Sequence, residues 1–172
     1  VIARSDRYLV TSAWVRDQLH DRGIRAQLRT PGVDTAAFDP ALRDDSLHRH
    51  WARSDKPDGP LLVVGYVGGL HKRHGVRRLA EMAPLNHVRP VIIGAGPQLG
   101  WLQEHLPHAK FLEPMSTGDL GTALASLDVL VHPGRRQTCA HSLRAAGASG
   151  IPAIAPHAGS AAGIVRQGET GV

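Results

Sequence analysis

Cysteine, aromatic residues and long apolar runs are all scarce in this sequence. The one cysteine, Cys139, excludes an internal disulfide and is typical of a protein kept in a reducing compartment. Phe, Trp and Tyr make up 4% of the residues, too few for an aromatic platform that stacks single-stranded nucleic acid. No apolar run approaches the ~20 residues of a membrane-spanning helix. We therefore predict a cytoplasmic protein that has no nucleic-acid partner.

The spacing patterns of two other kinds of site are also missing. The eleven histidines are scattered, and His48 and His50 fall on different sides of a charged helix. We expect most histidines at the surface and predict no zinc site. No GxGxxG motif follows the apolar stretch at residues 61–67, which we predict below to be the first strand of the main sheet. Its absence disfavours a nicotinamide-dependent oxidoreductase.

Glycine and arginine, in contrast, are plentiful. Nineteen glycines and a hydrophobic content of 42% are typical of an α/β protein, whose parallel sheet needs many tight connections. The net charge is +5 and arginine far outnumbers lysine, which favours acidic ligands such as phosphates, nucleotides and anionic lipid headgroups. The length of 172 residues fits one domain, but VIARSDRYLV at the start and GETGV at the end predict a fragment of a larger protein.

The chain before residue 55 is predicted to form an appendage to the main sheet. Its predicted elements are a strand at residues 7–11, a helix from its N-cap Ser12 to Gly23, a strand at 26–28, and an amphipathic helix marked by Leu42, Leu47 and Trp51. Residues 55–60, DKPDGP, have the composition of a linker.

After the linker, apolar strands and amphipathic helices alternate. The predicted strands are residues 61–67, 91–93, 110–112, 127–131 and 151–155. The predicted helices are residues 76–83, the segment marked by Leu99, Leu102 and Leu106, residues 119–126, and a helix from about Thr138 to Gly150. This alternation predicts an α/β fold with a Rossmann-like, three-layer parallel sheet.

Three turns follow successive strands and are predicted to share the sheet edge where ligands bind. Gly68-Gly69 precedes the basic run His71-Lys72-Arg73-His74, which is either a diphosphate grip or a plain turn before a solvated helix. Gly94-Ala95-Gly96-Pro97 is either a phosphate-approach turn or an ordinary helix entry. The third turn leads to the helix at Thr138, whose free N–H groups suit a phosphate. We predict a nucleoside diphosphate between the three turns.

The third turn carries the most polar side chains. Arg135 and Arg136 lie where an anion would arrive, and Thr138 is a candidate helix cap. Cys139 and His141 have the spacing of a catalytic pair, but no residue that would orient the histidine is evident. A small buried cysteine is the commoner case, so we predict no covalent catalysis here.

The order of several motifs resembles the C-terminal half of a retaining glycosyltransferase of the GT-B type. The resembling stretches are SDRYLVTSAWVRDQLHDRGI with PGVDTAAFDP, VGYVGGLHKRHGVRRLAEMA, the segment from VIIGAGP to VLVHPG, and ASGIPAIAPHAGSAAGIVRQGETGV. This group includes bacterial mannosyl- and glucosyltransferases, the glycosyl transferases group 1. RHGVRRLAE is similar to actinobacterial phosphatidylinositol-mannosyltransferase-like enzymes.

The resemblance implies a two-domain enzyme and assigns site residues. Residues 1–54 would lead from an N-terminal acceptor domain, 55–60 would be the linker, and 61–172 the donor domain, truncated before its terminal helix. With the turns above, it places the nucleotide sugar against Gly68, Gly69, Lys72, Arg73, His74, Gly94, Gly96, Pro114, Met115, Thr138, Cys139, Ala140, His141 and Ala145. The base would lie against residues 112–115.

The sequence departs from the family at its most polar positions. Where the family has an arginine and, five residues on, a lysine for the diphosphate, this chain has Gly69 and His74. Where the family has two glutamates, one toward the donor sugar and one on the ribose, it has Gln137 and Ala145. Gln137 is the candidate catalytic residue, and a lost charge-assisted hydrogen bond weakens binding by about ten- to hundredfold.

The resemblance also implies a reaction and its partners. We expect hexosyl transfer with retention from a GDP-mannose- or UDP-sugar-type donor to a lipid-linked or small-molecule glycan precursor, without a metal or other cofactor. We also expect peripheral contact with the inner membrane face through the absent N-terminal domain. The alternative is a degenerate, non-catalytic module that binds or senses a sugar nucleotide, because both family glutamates are replaced.

Overall fold

The computed structural model describes residues 7–53 and 59–172, which form a five-stranded parallel sheet and a smaller two-stranded one. The strands are β1 Leu9–Val10, β2 Gln27–Leu28, β3 Leu62–Val67, β4 Val88–Ile93, β5 Lys110–Leu112, β6 Val129–Val131 and β7 Ala153–Ile154. The α-helices are α1 Ala13–His20, α2 Asp45–Ala52, α3 Leu99–His105, α4 Thr117–Ala125 and α5 His141–Ala148. Shorter 3-10 helices cover Pro40–Leu42, Lys72–His74, Val76–Met82 and Ala161–Gly163.

The large sheet has the strand order β5-β4-β3-β6-β7, and every neighbouring pair is parallel. The chain moves outward from β3 through β4 to β5, then returns to the other side of β3 for β6 and β7. The point where the order reverses lies between β3 and β6. This confirms the predicted α/β fold, and it makes the carboxyl ends of β3 and β6 the expected place for a ligand.

Two buried clusters pack against opposite faces of the sheet. Val91 and Ile93 belong to the cluster that also contains Leu124, Leu130 and residues of α2, α4 and α5. Ile92, between them in β4, belongs to the other cluster, which includes Leu79 and Leu102. Since successive side chains of a strand point to opposite faces, the two clusters are the two interior layers of a three-layer domain.

Helix α2 belongs to the core, which corrects the prediction of an appendage for this part of residues 1–54. Trp51 and Ala52 are 3% and 0% exposed and lie in the same cluster as Leu124 and Leu130. His48 contacts Asp128 at 3.0 Å, and Asp128 also accepts a hydrogen bond from the backbone of Val63. The apolar face of α2 is thus covered by the sheet. Residues 55–58 of the predicted linker lie outside the described residues.

Several element boundaries differ from prediction for local reasons. Residues 76–82 form a 3-10 helix rather than an α-helix, although Val76 and Leu79 are buried as expected. β4 begins three residues earlier than predicted and includes Pro90. Pro90 is tolerated because the pairing of β4 with β5 starts only at Val91, so no ladder hydrogen bond to β5 needs an N–H from Pro90. β7 is shorter than predicted, since the N–H of Ile151 bonds back to Ala146 at the end of α5.

Within residues 7–53 and 59–172, no helix has the length and apolar character needed to cross a lipid bilayer.

Candidate functional site

A cavity of about 430 Å³ opens at the carboxyl ends of β3 and β6. It lies between two walls. The first wall is the loop of residues 68–74, which follows β3, and the second wall is the segment of residues 133–140, which follows β6 and leads into α5. The lining residues are Gly32, Val33, Asp34, Phe38, Tyr66, Val67, Gly68, Gly69, His74, Leu120, Leu124, His132, Gln137, Cys139, His141, Ser142, Arg144 and Ala145.

The first wall is held by backbone hydrogen bonds to the neighbouring turn. Leu70 donates its N–H to the carbonyl of Ala95 at 2.8 Å, and its own carbonyl accepts from Gln98 at 3.0 Å. Gly94 has φ of +152°, and a Cβ there would lie 2.0 Å from the Gly68 carbonyl oxygen. The turn at residues 94–96 therefore packs behind the loop and supports it, and does not line the cavity.

Two side chains fix the tip of the first wall. The Tyr66 hydroxyl donates to the carbonyl oxygen of Gly69 at 3.0 Å, and His74 Nδ1 lies 2.8 Å from the same oxygen. The carbonyl can only accept, so Nδ1 of His74 carries the proton, and Nε2 accepts a hydrogen bond from Nε of Arg73 at 3.3 Å. Burial raises the pKa of Tyr66 to about 12, which keeps its hydroxyl protonated as the donor.

The second wall is an irregular segment, and α5 begins later than predicted. The helix starts at His141, and Ala140 precedes it with no side-chain cap. Thr138 does not cap the helix, because it is exposed and its carbonyl accepts a hydrogen bond from the Thr11 hydroxyl at 2.9 Å. The backbone of Gln137 accepts from the N–H of Ser160 at 3.1 Å. These bonds tie the second wall to segments distant in sequence.

Cys139 and His141 make a direct contact in the second wall. The Sγ of Cys139 lies 3.2 Å from Nε2 of His141, and both line the cavity. Among the described residues no carboxylate hydrogen-bonds His141, so the orienting third member of a catalytic triad is missing. Without that residue, His141 is not held in the orientation that a general base for the Cys139 thiol needs, so the pair does not form a dedicated nucleophile.

The cavity lining is richer in nitrogen side chains than in acidic ones. Asp34 is the one acidic residue among its described lining, and its carboxylate already accepts hydrogen bonds from the N–H groups of Ala36 and Ala37. The nitrogen-bearing basic residue types in the lining are His74, His132, His141 and Arg144. Nε of Arg144 is buried without a hydrogen-bond partner. Because the carboxylate is engaged and Arg144 is a permanent cation with N–H donors, the lining favours an anionic ligand.

His132 is the most deeply buried histidine on the cavity. Its residue is 3% exposed, and its Nε2 has no hydrogen-bond partner. Burial, with a smaller contribution from nearby His74, lowers the pKa of His132 to about 4. The imidazole is therefore neutral at neutral pH. Seven of the eleven histidines are exposed, which confirms the expectation that most lie at the surface, and His132 is the buried exception.

Comparison with known proteins identifies the family. Residues 62–172 match the glycosyl transferases group 1. A GDP-mannose-dependent alpha-mannosyltransferase from Corynebacterium glutamicum is 36% identical over 167 residues, which are 96% of this chain and 40% of that protein. A protein of the same name from Mycolicibacterium smegmatis is 37% identical over 171 residues, which are 99% of this chain and 44% of that protein. The chain belongs to the glycosyl transferases group 1.

Solved structures of glycosyltransferases share the fold. Sucrose-phosphate synthase from Thermosynechococcus elongatus has a TM-score of 0.80 at 23% identity, over 98% of this chain and 45% of that one. HepE from Anabaena, solved in complex with UDP-glucose, has a TM-score of 0.79 at 18% identity, and the match covers 97% of this chain and 49% of HepE. The chain thus spans less than half the length of the relatives it matches, and the predicted GT-B fold is confirmed for this part.

The geometry brings together about half of the residues predicted for a group 1 glycosyltransferase. Those that line the cavity are Gly68, Gly69, His74, Gln137, Cys139, His141 and Ala145. Those outside its lining are Lys72, Arg73, Gly94, Gly96, Pro114, Met115, Thr138 and Ala140. Lys72 and Arg73 point to solvent, whereas the two glycines support the first wall from behind.

Several lining residues are not predicted from the sequence. They are Gly32, Val33, Asp34, His132 and Arg144. PGVDTAAFDP, one of the resembling stretches, contains the signal for residues 32–34, whereas no local pattern marks His132 or Arg144.

Proposed function

We propose that this chain is the donor-binding part of a hexosyltransferase. It binds a nucleoside diphosphate sugar, of GDP-mannose or UDP-sugar type, in the cavity between the two walls. The full-length protein transfers the hexose, with retention of anomeric configuration, to an acceptor held by its remaining part. The observation that carries this proposal is a cavity, lined by Arg144 and three histidines, at the point where the strand order reverses.

The proposed diphosphate position follows from the two walls. Gly68 and Gly69 let a phosphate approach the backbone after β3, and the start of α5 at His141 offers N–H groups across the cavity. Of the run His71-Lys72-Arg73-His74, His74 is the residue that lines the cavity. Positioning and stabilisation of the leaving diphosphate would supply most of the rate enhancement. The predicted base contact at residues 112–115 stays a prediction.

Ligand-dependent stabilisation tests this proposal. We expect the thermal midpoint of the chain to rise with at least one of GDP-mannose, UDP-glucose and ADP-glucose, since a ligand that binds only the folded state stabilises it. Guanosine, uridine and adenosine, which lack the diphosphate, are the controls. If none of the three nucleotide sugars shifts the midpoint at millimolar concentration, the proposal is wrong.

A matched pair of variants locates the diphosphate. His74→Ala removes a side chain that lines the cavity, and Lys72→Ala removes an exposed cation two residues away that does not. We expect His74→Ala to weaken binding of the preferred nucleotide sugar several-fold, and Lys72→Ala to change it less than twofold. The reverse order, measured by calorimetry, would move the diphosphate out of the cavity and onto the exposed basic run.

Gln137 and Ala145 favour a second candidate, a non-catalytic module that binds or senses a sugar nucleotide. Both line the cavity, but neither carries a charge, and Ala145 is 6% exposed within the core cluster. For a working donor site, Ala145→Glu should tighten nucleotide binding through the ribose hydroxyls. Ala145→Gln has the same bulk without the charge and is the control for steric damage.

The two candidates differ in the outcome of these substitutions. Gln137→Glu in the full-length protein should raise turnover more than affinity, because its charge acts chiefly as positive charge develops on the sugar. If Ala145→Glu binds no better than Ala145→Gln, and Gln137→Glu leaves turnover at background, the module is the better description.

We also propose the wider setting of the enzyme. Residues 1–54 lead from an N-terminal acceptor domain into the donor domain, whose core includes α2 beside residues 61–172, and the acceptor is a lipid-linked or small-molecule glycan precursor. The protein is cytoplasmic, touches the inner membrane face through the acceptor domain, needs no metal or other cofactor, and binds no nucleic acid. Full activity in the presence of EDTA checks the cofactor proposal.

A further inference from the structure

Arg144 is a partly buried cation whose guanidinium has no partner. Its Nε is buried, and its side chain makes no hydrogen bond or ion pair within residues 7–53 and 59–172. The two terminal nitrogens, Nη1 and Nη2, are not among the buried unpaired atoms, so they are unpaired but accessible. A cation held partly out of water without a counter-charge is unfavourable, and an anionic ligand would supply the missing partner.

The place of Arg144 in α5 directs its side chain along the cavity. Arg144 lines the cavity together with His141 and Ala145, and the three residues share one face of the helix. Long side chains in an α-helix lean toward its N-terminus, so the side chain of Arg144 extends toward the turn that begins at His141. The unpaired guanidinium therefore lies on the side of the start of α5.

The start of α5 adds donors of the same kind. The helix has no side-chain cap, and the backbone N–H groups of His141 and Ser142 have no partner among the described residues. Both residues line the cavity. Free N–H groups at a helix start and a guanidinium suit the same ligand group, the oxygens of a phosphate. Arg144 adds a full charge to a set of backbone donors.

No described residue of the cavity competes with a ligand for Arg144. Asp34, the one carboxylate of the described lining, accepts hydrogen bonds from N–H groups of its own turn and forms no ion pair with Arg144. The first wall offers little charge, since Gly69 and His74 stand where the family has an arginine and a lysine, and His74 is already bonded to the Gly69 carbonyl. The permanent cation of the described lining thus lies on α5, across the cavity from the first wall.

We propose that Arg144 is a substrate-binding residue, whose terminal nitrogens hydrogen-bond the diphosphate of the donor nucleotide in place of the cations that the first wall lacks. This inference rests on the proposed function, because it requires a nucleoside diphosphate in the cavity. Since the diphosphate is common to the donor and to the nucleotide product, Arg144 contributes equally to the binding of both.

Calorimetry with charge-matched variants tests the inference. Kd would be measured on the whole 172-residue chain for UDP and GDP and for UDP-glucose and GDP-mannose. Arg144→Gln keeps N–H donors without the charge, and Arg144→Lys keeps the charge without the planar fork of donors. Arg25→Gln removes a charge from an exposed residue outside the cavity lining. We expect Arg144→Gln to weaken each ligand that wild type binds about tenfold, Arg144→Lys about threefold, and Arg25→Gln less than twofold.

The unliganded chain provides a control for a structural role. Because the guanidinium has no partner there, Arg144→Gln should keep the thermal midpoint within about 2 °C of wild type. If the midpoint falls further, or the variant does not fold, the guanidinium ¹H–¹⁵N signals of Arg144 in wild type decide. They should shift on saturation with the nucleoside diphosphate. Unchanged signals, or the same shift with uridine or guanosine, overturn the inference.

The outcomes separate this inference from the proposed function. If wild type binds neither the nucleoside diphosphates nor the nucleotide sugars, the proposed function fails and the inference fails with it. If wild type binds them and Arg144→Gln weakens binding less than threefold, or no more than Arg25→Gln does, the inference alone is overturned. A loss confined to the nucleotide sugars also overturns it, because a contact with the diphosphate affects both kinds of ligand.

Discussion

The two walls of the cavity are built in different ways. The first wall, residues 68–74, is held by backbone bonds to the turn after β4, and its Leu70 is fully buried. The second wall, residues 133–140, carries exposed arginines at 135 and 136 and is tied down by single bonds from Thr11 and Ser160. Two loops at the same sheet edge thus differ in what holds them.

The two walls should therefore differ in how well they tolerate substitutions. Behind the first wall, a Cβ at Gly94 or Gly96 would lie 2.0 or 2.6 Å from the backbone oxygen of Gly68 or Leu70, so an added methyl group has no space there. In the second wall, the side chains of Arg135, Arg136 and Thr138 are exposed, so they can change without displacing core residues. Stability should therefore be sensitive to the first wall, and ligand choice to the second.

The largest effect is expected for Gly94→Ala. Its Cβ would lie 2.0 Å from the Gly68 carbonyl oxygen, and φ of +152° is strained for any residue with a side chain. We expect a loss of roughly 3 kcal/mol or more in the free energy of unfolding, measured by urea denaturation. Gly100→Ala, where a Cβ meets nothing within 4 Å, is the control and should change it by less than about 1 kcal/mol. Equal effects would remove the distinction between the walls.

The second effect concerns His132 and pH. Its pKa is lowered from 6.5 to about 4 in the folded state, so the unfolded chain binds the extra proton between those values. Its contribution to stability is present above pH 6.5 and is lost as the pH falls toward 4. Wild type should lose about 2 kcal/mol more than His132→Phe between pH 7 and pH 5 in urea denaturation. Parallel pH profiles would show that His132 is not neutralised by folding.

Gly159→Ala is the test of the second wall that matches Gly94→Ala. Gly159 has φ of +60°, and its Cβ would lie 2.8 Å from the carbonyl oxygen of Arg135. Because that oxygen belongs to an exposed segment, we expect the segment to shift and relieve the contact. The left-handed backbone should then lower the free energy of unfolding by about 1–2 kcal/mol. Gly163→Ala, with open space around its Cβ, is the control. A loss as large as that of Gly94→Ala would make both walls equally rigid.

The smallest effect is expected for Thr11→Val. The substitution removes the hydroxyl that donates to the Thr138 carbonyl at 2.9 Å in an exposed contact. We expect a loss of about 0.5–1 kcal/mol, seen as a small fall in thermal midpoint, and little change for Thr11→Ser. A larger loss would mean that the second wall depends on the two-stranded sheet more than its exposure indicates.

Much of the fold followed from apolar pattern alone. β3 lies within one residue of its prediction because four consecutive residues, 63–66, are buried between two layers of helices. Boundaries were less predictable. α5 starts at His141 rather than near Thr138, and the Thr138 carbonyl instead accepts a hydrogen bond from Thr11, more than a hundred residues earlier.

The site was predictable only in outline. Glycine turns after strands pointed to Gly68 and Gly69, and the resemblance pointed to Gln137 and Ala145, all of which line the cavity. Gly94 has the same local pattern as Gly68, but it lies behind the wall, because packing against the Gly68 carbonyl decides its place. A pattern of single residues does not distinguish a glycine that approaches a ligand from one that approaches another loop.

The sequence by itself determined the alternation of strands and helices, the basic character of the chain and its family, since these depend on composition and on neighbours close along the chain. Tertiary structure alone decided that Trp51 is core, that Gly94 supports a wall, and that His132 is neutral with an unpaired nitrogen. Burial and close approach are set by residues far apart in sequence, and protonation follows from burial.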